Sequence, residues 1–158
     1  MKNMYDLNSE KGIGLLELML SIIVITAIIL GATKYYLVAR EAMKITQAQD
    51  VINNVASATY KWIEGQPNFH DLTLQKLIDA GLLPGKYGQS GISPWGGSIN
   101  LTPKQGDDQL AAFWFDNLGS SLTTPPSKPC LILYNKYKDS TQSSIWSDEN
   151  CTFYFKAP

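Results

Sequence analysis

The chain has 158 residues, of which 44% are hydrophobic and 17% are charged, and its formal net charge is −1. This length fits one ordinary domain, and a nearly neutral chain without a block of basic residues gives little support to nucleic-acid binding. The apolar residues are concentrated in residues 13–32, where Glu17 has the single ionised side chain. The composition therefore excludes a uniformly soluble protein and predicts one membrane segment.

A polar segment, residues 1–12, stands directly before this apolar run. At about 1.5 Å per helical residue, residues 13–32 are long enough to span the roughly 30 Å hydrocarbon core of a bilayer. A cleaved secretory signal is an alternative, since Gly31 and Ala32 could imitate its cleavage site. The run is longer than the apolar part of such a signal and continues into a helical pattern, which favours a membrane helix.

One long helix is predicted from residue 13 to about residue 64, because the first proline is Pro67 and proline is strongly unfavourable inside a helix. Beyond the apolar run, apolar positions recur at spacings of three and four residues, as on one face of an amphipathic helix. These positions are Ile45, Ala48, Ile52, Val55, Thr59 and Trp62. Gly31 is the predicted weak point, since glycine lowers helix stability by about 1 kcal/mol relative to alanine.

A short second helix is predicted next, with Asp71 or Thr73 as its N-cap and Gly81 as its stop. Its apolar stripe consists of Leu74, Leu77 and Ile78. Residues 93–97 predict a turn that carries a buried Trp95.

The C-terminal part of the chain predicts strands at residues 99–101, 111–115, 131–134 and 153–155, separated by turns. The expected fold class is α+β, in which a long N-terminal helix, apolar in its first half and amphipathic in its second, packs against a small antiparallel sheet. Four aromatic residues are assigned to the domain core: Trp114, Tyr134, Tyr137 and Phe153.

The two cysteines, Cys130 and Cys151, favour a single disulfide that closes a loop near the C-terminus. Two free thiols are the alternative. A structural zinc site would need further ligands, and the single histidine, His70, lies far away in the sequence. A disulfide implies an oxidising compartment outside the cytoplasm.

Catalytic and metal-binding patterns are weak. The stretch most similar to a nucleophile elbow, residues 88–92, has Ile92 where the second glycine is required. The groups that could bind calcium are Asp107 with Asp108, and Asp148 with Glu149 and Asn150. Neither group has the spacing of an EF-hand loop. We therefore expect no enzyme activity, no cofactor and no bound metal.

The order Lys11, Gly12, Ile13 and Glu17, followed by an unbroken apolar helix, resembles the processing site of the type IV pilin and pseudopilin family. In that family a short leader ending in glycine is removed by a dedicated membrane peptidase, the new first residue is N-methylated, and the fifth mature residue is a glutamate. The resemblance implies cleavage between Gly12 and Ile13, N-methylation of Ile13, and a role in assembly for Glu17.

The spacing from Ile13 to Glu17 also has a physical reason. A new terminal ammonium at the start of a helix is disfavoured by the helix dipole by a few tenths to about 1 kcal/mol. A carboxylate four residues along offsets this effect and becomes costly if it is left unpaired among packed apolar helices. The resemblance implies that the paired amine belongs to a neighbouring subunit, whereas an isolated Glu17 would extend towards the lipid headgroups.

The resemblance divides the chain into a leader (residues 1–12), a transmembrane and filament-core half of the helix (13–34), and a globular pilin domain with a C-terminal disulfide loop (35–158). It implies a structural subunit of a type IV pilus, a filament that serves adhesion, motility, conjugation or DNA uptake. The implied partners are other copies of the chain, a prepilin peptidase, and an assembly machinery with a separate ATPase. The implied locations are the bacterial inner membrane before assembly and the cell-surface filament afterwards. The low net charge separately predicts that the subunit alone binds no nucleic acid.

The chain is most similar to type IVb pilins, because of its longer leader, its start at Ile13, and residues 77–84 and 93–97. It departs from many family members, which have phenylalanine as the first mature residue and a helix-kinking proline where this chain has Lys34. Two alternatives stay open. One is a pseudopilin of a type II secretion system, which usually lacks the disulfide and binds calcium. The other is a single-pass membrane-anchored extracytoplasmic binding module that does not polymerise.

Overall fold

The computed structural model describes residues 14–118, 127–138, 145–147 and 151–157, with the backbone alone for 145–147. The helices are α1 (Leu15–Ile63), α2 (Leu74–Asp79) and α3 (Lys128–Tyr137), and a 3-10 turn covers Gly85–Gly88. The strands are β1 (Ile99–Lys104), β2 (Asp107–Phe115), β3 (Ile145–Ser147) and β4 (Phe153–Lys156). The fold is α+β, as predicted, and the chain divides into two compact units between Arg40 and Glu41.

The long helix α1 agrees with the predicted span, since its 49 residues run from Leu15 to Ile63 without a break. Gly31 was the predicted weak point, yet the backbone there is helical like that of its neighbours. A methyl group added at Gly31 would meet no atom within 4 Å. The helix is therefore continuous through this glycine, and no packed neighbour in the described chain requires it.

The second half of α1 is amphipathic, as predicted. Its buried residues are Ala48, Val51, Ile52, Val55, Ala56, Ala58, Thr59 and Ile63. Ile45 and Trp62, also expected on this face, are partly buried and pack against the same core. That core is shared with the sheet and with Cys130, Leu133 and Tyr137 of α3. The apolar stripe read from the sequence is thus the face that meets the rest of the second unit.

Helix α2 forms where the capping residues place it. The Thr73 side chain accepts a hydrogen bond from the backbone N–H of Lys76 at 3.2 Å, which identifies Thr73 and not Asp71 as the N-cap. Gly81 follows the helix with φ of +71°, and the next two N–H groups, of Leu82 and Leu83, bond to the Leu77 carbonyl at 2.9 and 3.2 Å. These bonds satisfy a carbonyl that the helix end would otherwise leave free.

The described strands form one antiparallel sheet in the order β1-β2-β4-β3. Strand β2 is central, and Phe113 lies opposite Leu101 of β1 and Phe153 of β4. The ring centroids of Phe113 and Phe115 are 5.0 Å apart, and the two ring planes are nearly perpendicular. The rings of Phe153 and Phe155 also pack against Phe113. These phenylalanines form the sheet side of the core.

One element differs from its prediction, because residues 131–134 are helical and not a strand. They lie inside α3, whose N-cap Ser127 accepts a hydrogen bond from the Cys130 N–H at 3.4 Å. Pro129 stands in the first turn, where a missing N–H has no cost. The buried residues Cys130, Leu133 and Tyr137 follow the spacing of three and four that a helix requires.

The turn predicted at residues 93–97 is present, and Gly96 and Gly97 have φ of +78° and +93°. Trp95 is half-buried, with its ring edge-on to Phe115 at 5.8 Å. Of the four aromatic residues assigned to the core, Tyr137 and Phe153 are buried, whereas Trp114 and Tyr134 are partly buried. Because Tyr134 packs against the core, the assignment is confirmed for three of the four.

Candidate functional site

The most unusual surface of the molecule is the first half of α1. All sixteen large apolar side chains between Leu15 and Val38 are at least 51% exposed. They occur on every side of the helix, since neighbouring residues such as Ile22, Ile23, Val24 and Ile25 are all exposed. Soluble proteins rarely leave such a large contiguous apolar surface in water. The helix is long and apolar enough to anchor the chain in a membrane.

The serine and threonine hydroxyls in this segment are satisfied within the helix. The hydroxyls of Ser21, Thr26 and Thr33 donate to the backbone carbonyls of Glu17, Ile22 and Ile29, at 2.9, 2.7 and 2.8 Å. Each bond reaches back four residues, so these donors need no water. In hydrocarbon, where no water is present to accept a hydrogen bond, this arrangement removes the cost of carrying hydroxyl groups.

Charge is confined to the two ends of this segment. Glu17 lies in the first turn of α1, where the backbone N–H groups of Glu17 and Leu18 bond to the Gly14 carbonyl at 2.9 and 3.1 Å. A carboxylate in the first turn is favoured by the helix dipole. The next charged residues are Lys34 and Arg40. The proposed cleavage site, Gly12 and Ile13, lies outside the described residues.

Cys130 and Cys151 are joined by a disulfide, with their Cα atoms 5.8 Å apart and both residues buried. The bond links the first turn of α3 to the residue two positions before β4. A loop of this length contributes about 3 kcal/mol in the chain-entropy account. At the other end of α3, the Lys136 ammonium donates to the Gln49 side chain of α1 at 2.5 Å, so both ends of this helix are held.

The structure also gathers residues that lie far apart in the sequence. The His70 ring lies 3.4 Å from Asp108 and 4.0 Å from Asp71, and Lys76 lies 3.8 Å from Asp71. No local pattern in the sequence indicates the contact between His70 and Asp108, because it depends on how the loop before α2 packs against β2. The His70 side chain is 72% exposed, which suits a surface histidine with screened neighbours.

The other candidate chemical sites are exposed or lie outside the described residues. The Asp107 carboxylate accepts the Gln109 N–H at 3.0 Å, as in a turn, and Ser90 is exposed in a loop. Within the described ranges, no three histidine, cysteine or acidic side chains are grouped to hold a metal ion. Residues 148–150 lie outside those ranges, so the expectations of no metal and no catalysis stay predictions.

Comparison with protein-family models, with curated proteins and with solved structures gives no match for this chain. The features that bear on function are therefore the exposed apolar half of α1, its single carboxylate at Glu17, and the disulfide between Cys130 and Cys151.

Proposed function

We propose that this chain is a structural subunit of a type IV pilus, most similar to the type IVb pilins. It is made with the leader of residues 1–12, held in the bacterial inner membrane by the apolar half of α1, cut after Gly12 and methylated on Ile13. Copies then polymerise through this helix into an extracellular filament. The work is assembly and not catalysis, driven by a separate ATPase of the assembly machinery.

The observation that carries the proposal is the exposed apolar surface between Leu15 and Val38, with its carboxylate at Glu17. A surface that is apolar on every side requires an apolar surround on every side. A bilayer provides it before assembly, and a bundle of identical helices provides it afterwards. The motif around Gly12 and Glu17, read as a resemblance, supplies the processing step that separates the two environments.

Two other functions share part of this support. A non-polymerising membrane anchor is favoured by the same helix, which is long enough to cross a bilayer. A pseudopilin of a secretion system has the same motif, but the Cys130–Cys151 disulfide favours a pilin, because the resemblance implies that pseudopilins usually lack it. Only the anchor requires no cleavage, so the mature N-terminus separates it from the other two.

The decisive measurement is the mass of the N-terminal peptide of the mature protein. We expect it to begin at Ile13 and to carry one methyl group. The variant Gly12→Val should stay as a precursor that is longer by the 12 leader residues, while Ser9→Val in the same polar segment should be processed normally. An uncut wild-type chain, in cells that contain the peptidase, would exclude the pilin and the pseudopilin together.

A second measurement addresses polymerisation. Glu17→Ala should still be processed but should give few surface filaments, because assembly would lose the carboxylate that fixes the helix register. Ser21→Ala is the matched control, since it removes a polar group one turn further along without changing the charge. Filaments can be counted by electron microscopy and by the amount of subunit sheared from cells. Equal yields for Glu17→Ala and wild type would remove Glu17 from assembly.

A further inference from the structure

We infer that Lys34 is an assembly residue, whose ammonium pairs with the Glu17 carboxylate of a neighbouring parallel copy of this chain. The inference rests on the proposed function, because it requires that copies pack through the apolar half of α1. It adds a second contact to the amine pairing that the resemblance implies, and it sets the axial position of a different neighbour.

The two charges that bound the apolar stretch, Glu17 and Lys34, have no partner among the residues that the structure describes. In the described residues, neither the Glu17 carboxylate nor the Lys34 ammonium makes an ion pair or a side-chain hydrogen bond, and both residues are exposed. They are opposite in sign and are separated by residues 18–33, which carry no charge. Two unpaired charges of opposite sign on a polymerising surface can neutralise each other only between copies.

The stretch between them has nothing else to offer a carboxylate. Its only side-chain hydrogen-bond donors are the hydroxyls of Ser21, Thr26 and Thr33, and all three donate to carbonyls of their own helix. A neighbour that placed any part of residues 18–33 beside Glu17 would desolvate the carboxylate and give it no cation in return, which is costly. Axial offsets of that kind are therefore disfavoured.

Apart from the terminal amine of Ile13, the first offset at which Glu17 meets a cation is set by the helix rise. Glu17 and Lys34 are 17 residues apart, and at 1.5 Å per residue this is about 25 Å. Arg40 would require about 35 Å and would reduce the overlap of the two apolar surfaces. Lys34 is thus the cation that pairs the charge and keeps the larger apolar contact.

The apolar surface beyond Lys34 fits this offset. Residues 15–33 account for about 28 Å, close to the hydrocarbon thickness of a bilayer. Yet the surface continues past them, with Tyr35 82%, Tyr36 65%, Leu37 54% and Val38 65% exposed. At an offset of about 25 Å, the residues after Glu17 in one copy run beside these residues of its neighbour. This contact would bury the apolar side chains of residues 35–38, which lie beyond the length that a bilayer core covers.

The pairing also explains open-ended growth. At about 100° per residue, Glu17 and Lys34 lie about 100° apart around the helix, so they face different neighbours. Copies inserted from one side of the membrane are parallel, and each would therefore use its carboxylate towards one neighbour and its ammonium towards another. Such a head-to-tail contact does not close into a pair but continues into a filament.

Zero-length carbodiimide cross-linking of wild-type filaments tests the pairing directly. The reagent joins a carboxylate and an amine that are in contact, and mass spectrometry identifies the linked peptides. An amide between Glu17 and Lys34 must connect two copies, because within one helix the two are about 25 Å apart. We expect this product. Filaments in which Glu17 is linked only to the Ile13 amine, or to nothing, would overturn the inference and leave the filament itself established.

Variants give an independent readout. Lys34→Gln should lower filament yield at least tenfold, whereas Lys34→Arg, which keeps the charge, should stay within about twofold of wild type. The matched control is Arg40→Gln, which removes a cation outside the proposed pair. The amount of each subunit in the membrane fraction should be unchanged, since Lys34 is exposed and outside the core. Equal losses for Lys34→Gln and Arg40→Gln would contradict a specific pair. A wild-type chain that is never assembled would instead refute the proposed function.

Discussion

The two halves of helix α1 have the same backbone and opposite surroundings. Between Leu15 and Val38 every large apolar side chain is more than half exposed, whereas from Ala48 to Ile63 eight residues are buried. The difference lies in how apolar residues are distributed around the axis. A stripe on one face can be covered by one sheet, but apolar residues on all faces can be covered only by a surrounding medium. The same helical backbone thus forms whether its side chains are exposed or packed against the core.

The largest expected effect comes from a matched pair of isoleucines. Ile52 is fully buried, and Ile52→Ala should lower the free energy of unfolding of the second unit by about 2 to 5 kcal/mol, through lost transfer energy and a cavity. Ile23 is 65% exposed in the other half, and Ile23→Ala should change that free energy by less than about 0.5 kcal/mol. Urea unfolding in detergent, followed by tryptophan fluorescence, measures both. Similar losses for the two variants would show that the halves do not differ as described.

A pair of glycines sharpens the same contrast at a smaller magnitude. Gly97 has φ of +93°, and an added Cβ would lie 2.9 Å from the Asn117 amide and 3.1 Å from Asp116. Gly97→Ala should therefore cost about 1 to 3 kcal/mol of unfolding free energy. Gly31→Ala meets no atom within 4 Å and should raise helix stability by up to about 1 kcal/mol. Thermal unfolding followed by circular dichroism measures both, and a neutral Gly97→Ala would argue against the turn geometry.

The smallest expected effect concerns Tyr137 at alkaline pH. Its hydroxyl is buried and has no hydrogen-bond partner in the described part of the chain. Burial, with a smaller contribution from the Asp50 carboxylate, raises the pKa of Tyr137 above its ordinary value of 10.0. The folded state then holds this proton more tightly than the unfolded chain does. The resulting stability is complete below the unfolded pKa and is lost as the pH rises through the folded pKa.

Tyr137→Phe removes this group and its pH dependence. At about pH 8 the variant should match wild type or exceed it by up to about 1 kcal/mol, because an unpaired buried hydroxyl is lost. At about pH 10.5 wild type should have lost stability relative to the variant. Tyr35→Phe, at a residue 82% exposed in the first half of α1, is the control and should show no such difference. Urea unfolding at the two pH values decides the matter, and parallel curves for wild type and Tyr137→Phe would count against the raised pKa.

Local signals were sufficient for several elements. The span of α1 followed from the lack of proline before Pro67 and from apolar spacing. Helix α2 followed from an N-cap at Asp71 or Thr73, between which the structure selects Thr73, and from the stop at Gly81. Strands β2 and β4 were found from short apolar and aromatic stretches. Each of these depends on residues close together in the chain, where side-chain spacing and capping bonds act directly.

The helix α3 shows where local reading fails. A short apolar stretch such as residues 131–134 is equally suited to a strand and to a helix. The signals that start this helix are Ser127, its N-cap, and Pro129 in its first turn, and the prediction from the apolar run did not use them. The decision comes from packing, because only a helix puts Cys130, Leu133 and Tyr137 on one buried face of the second unit.

For this protein, the sequence by itself determined the α+β class and the long helix with its apolar and amphipathic halves. It also determined that Glu17 is the single carboxylate of the apolar half. These depend on composition, on spacing along the chain and on the backbone preferences of proline and glycine. Only the tertiary structure decided the sheet order β1-β2-β4-β3, the helical state of residues 128–137, and the meeting of His70 with Asp108. Such features depend on contacts between residues far apart in sequence. No local pattern shows the entropy that closing the intervening loops costs or the free energy that burial gains.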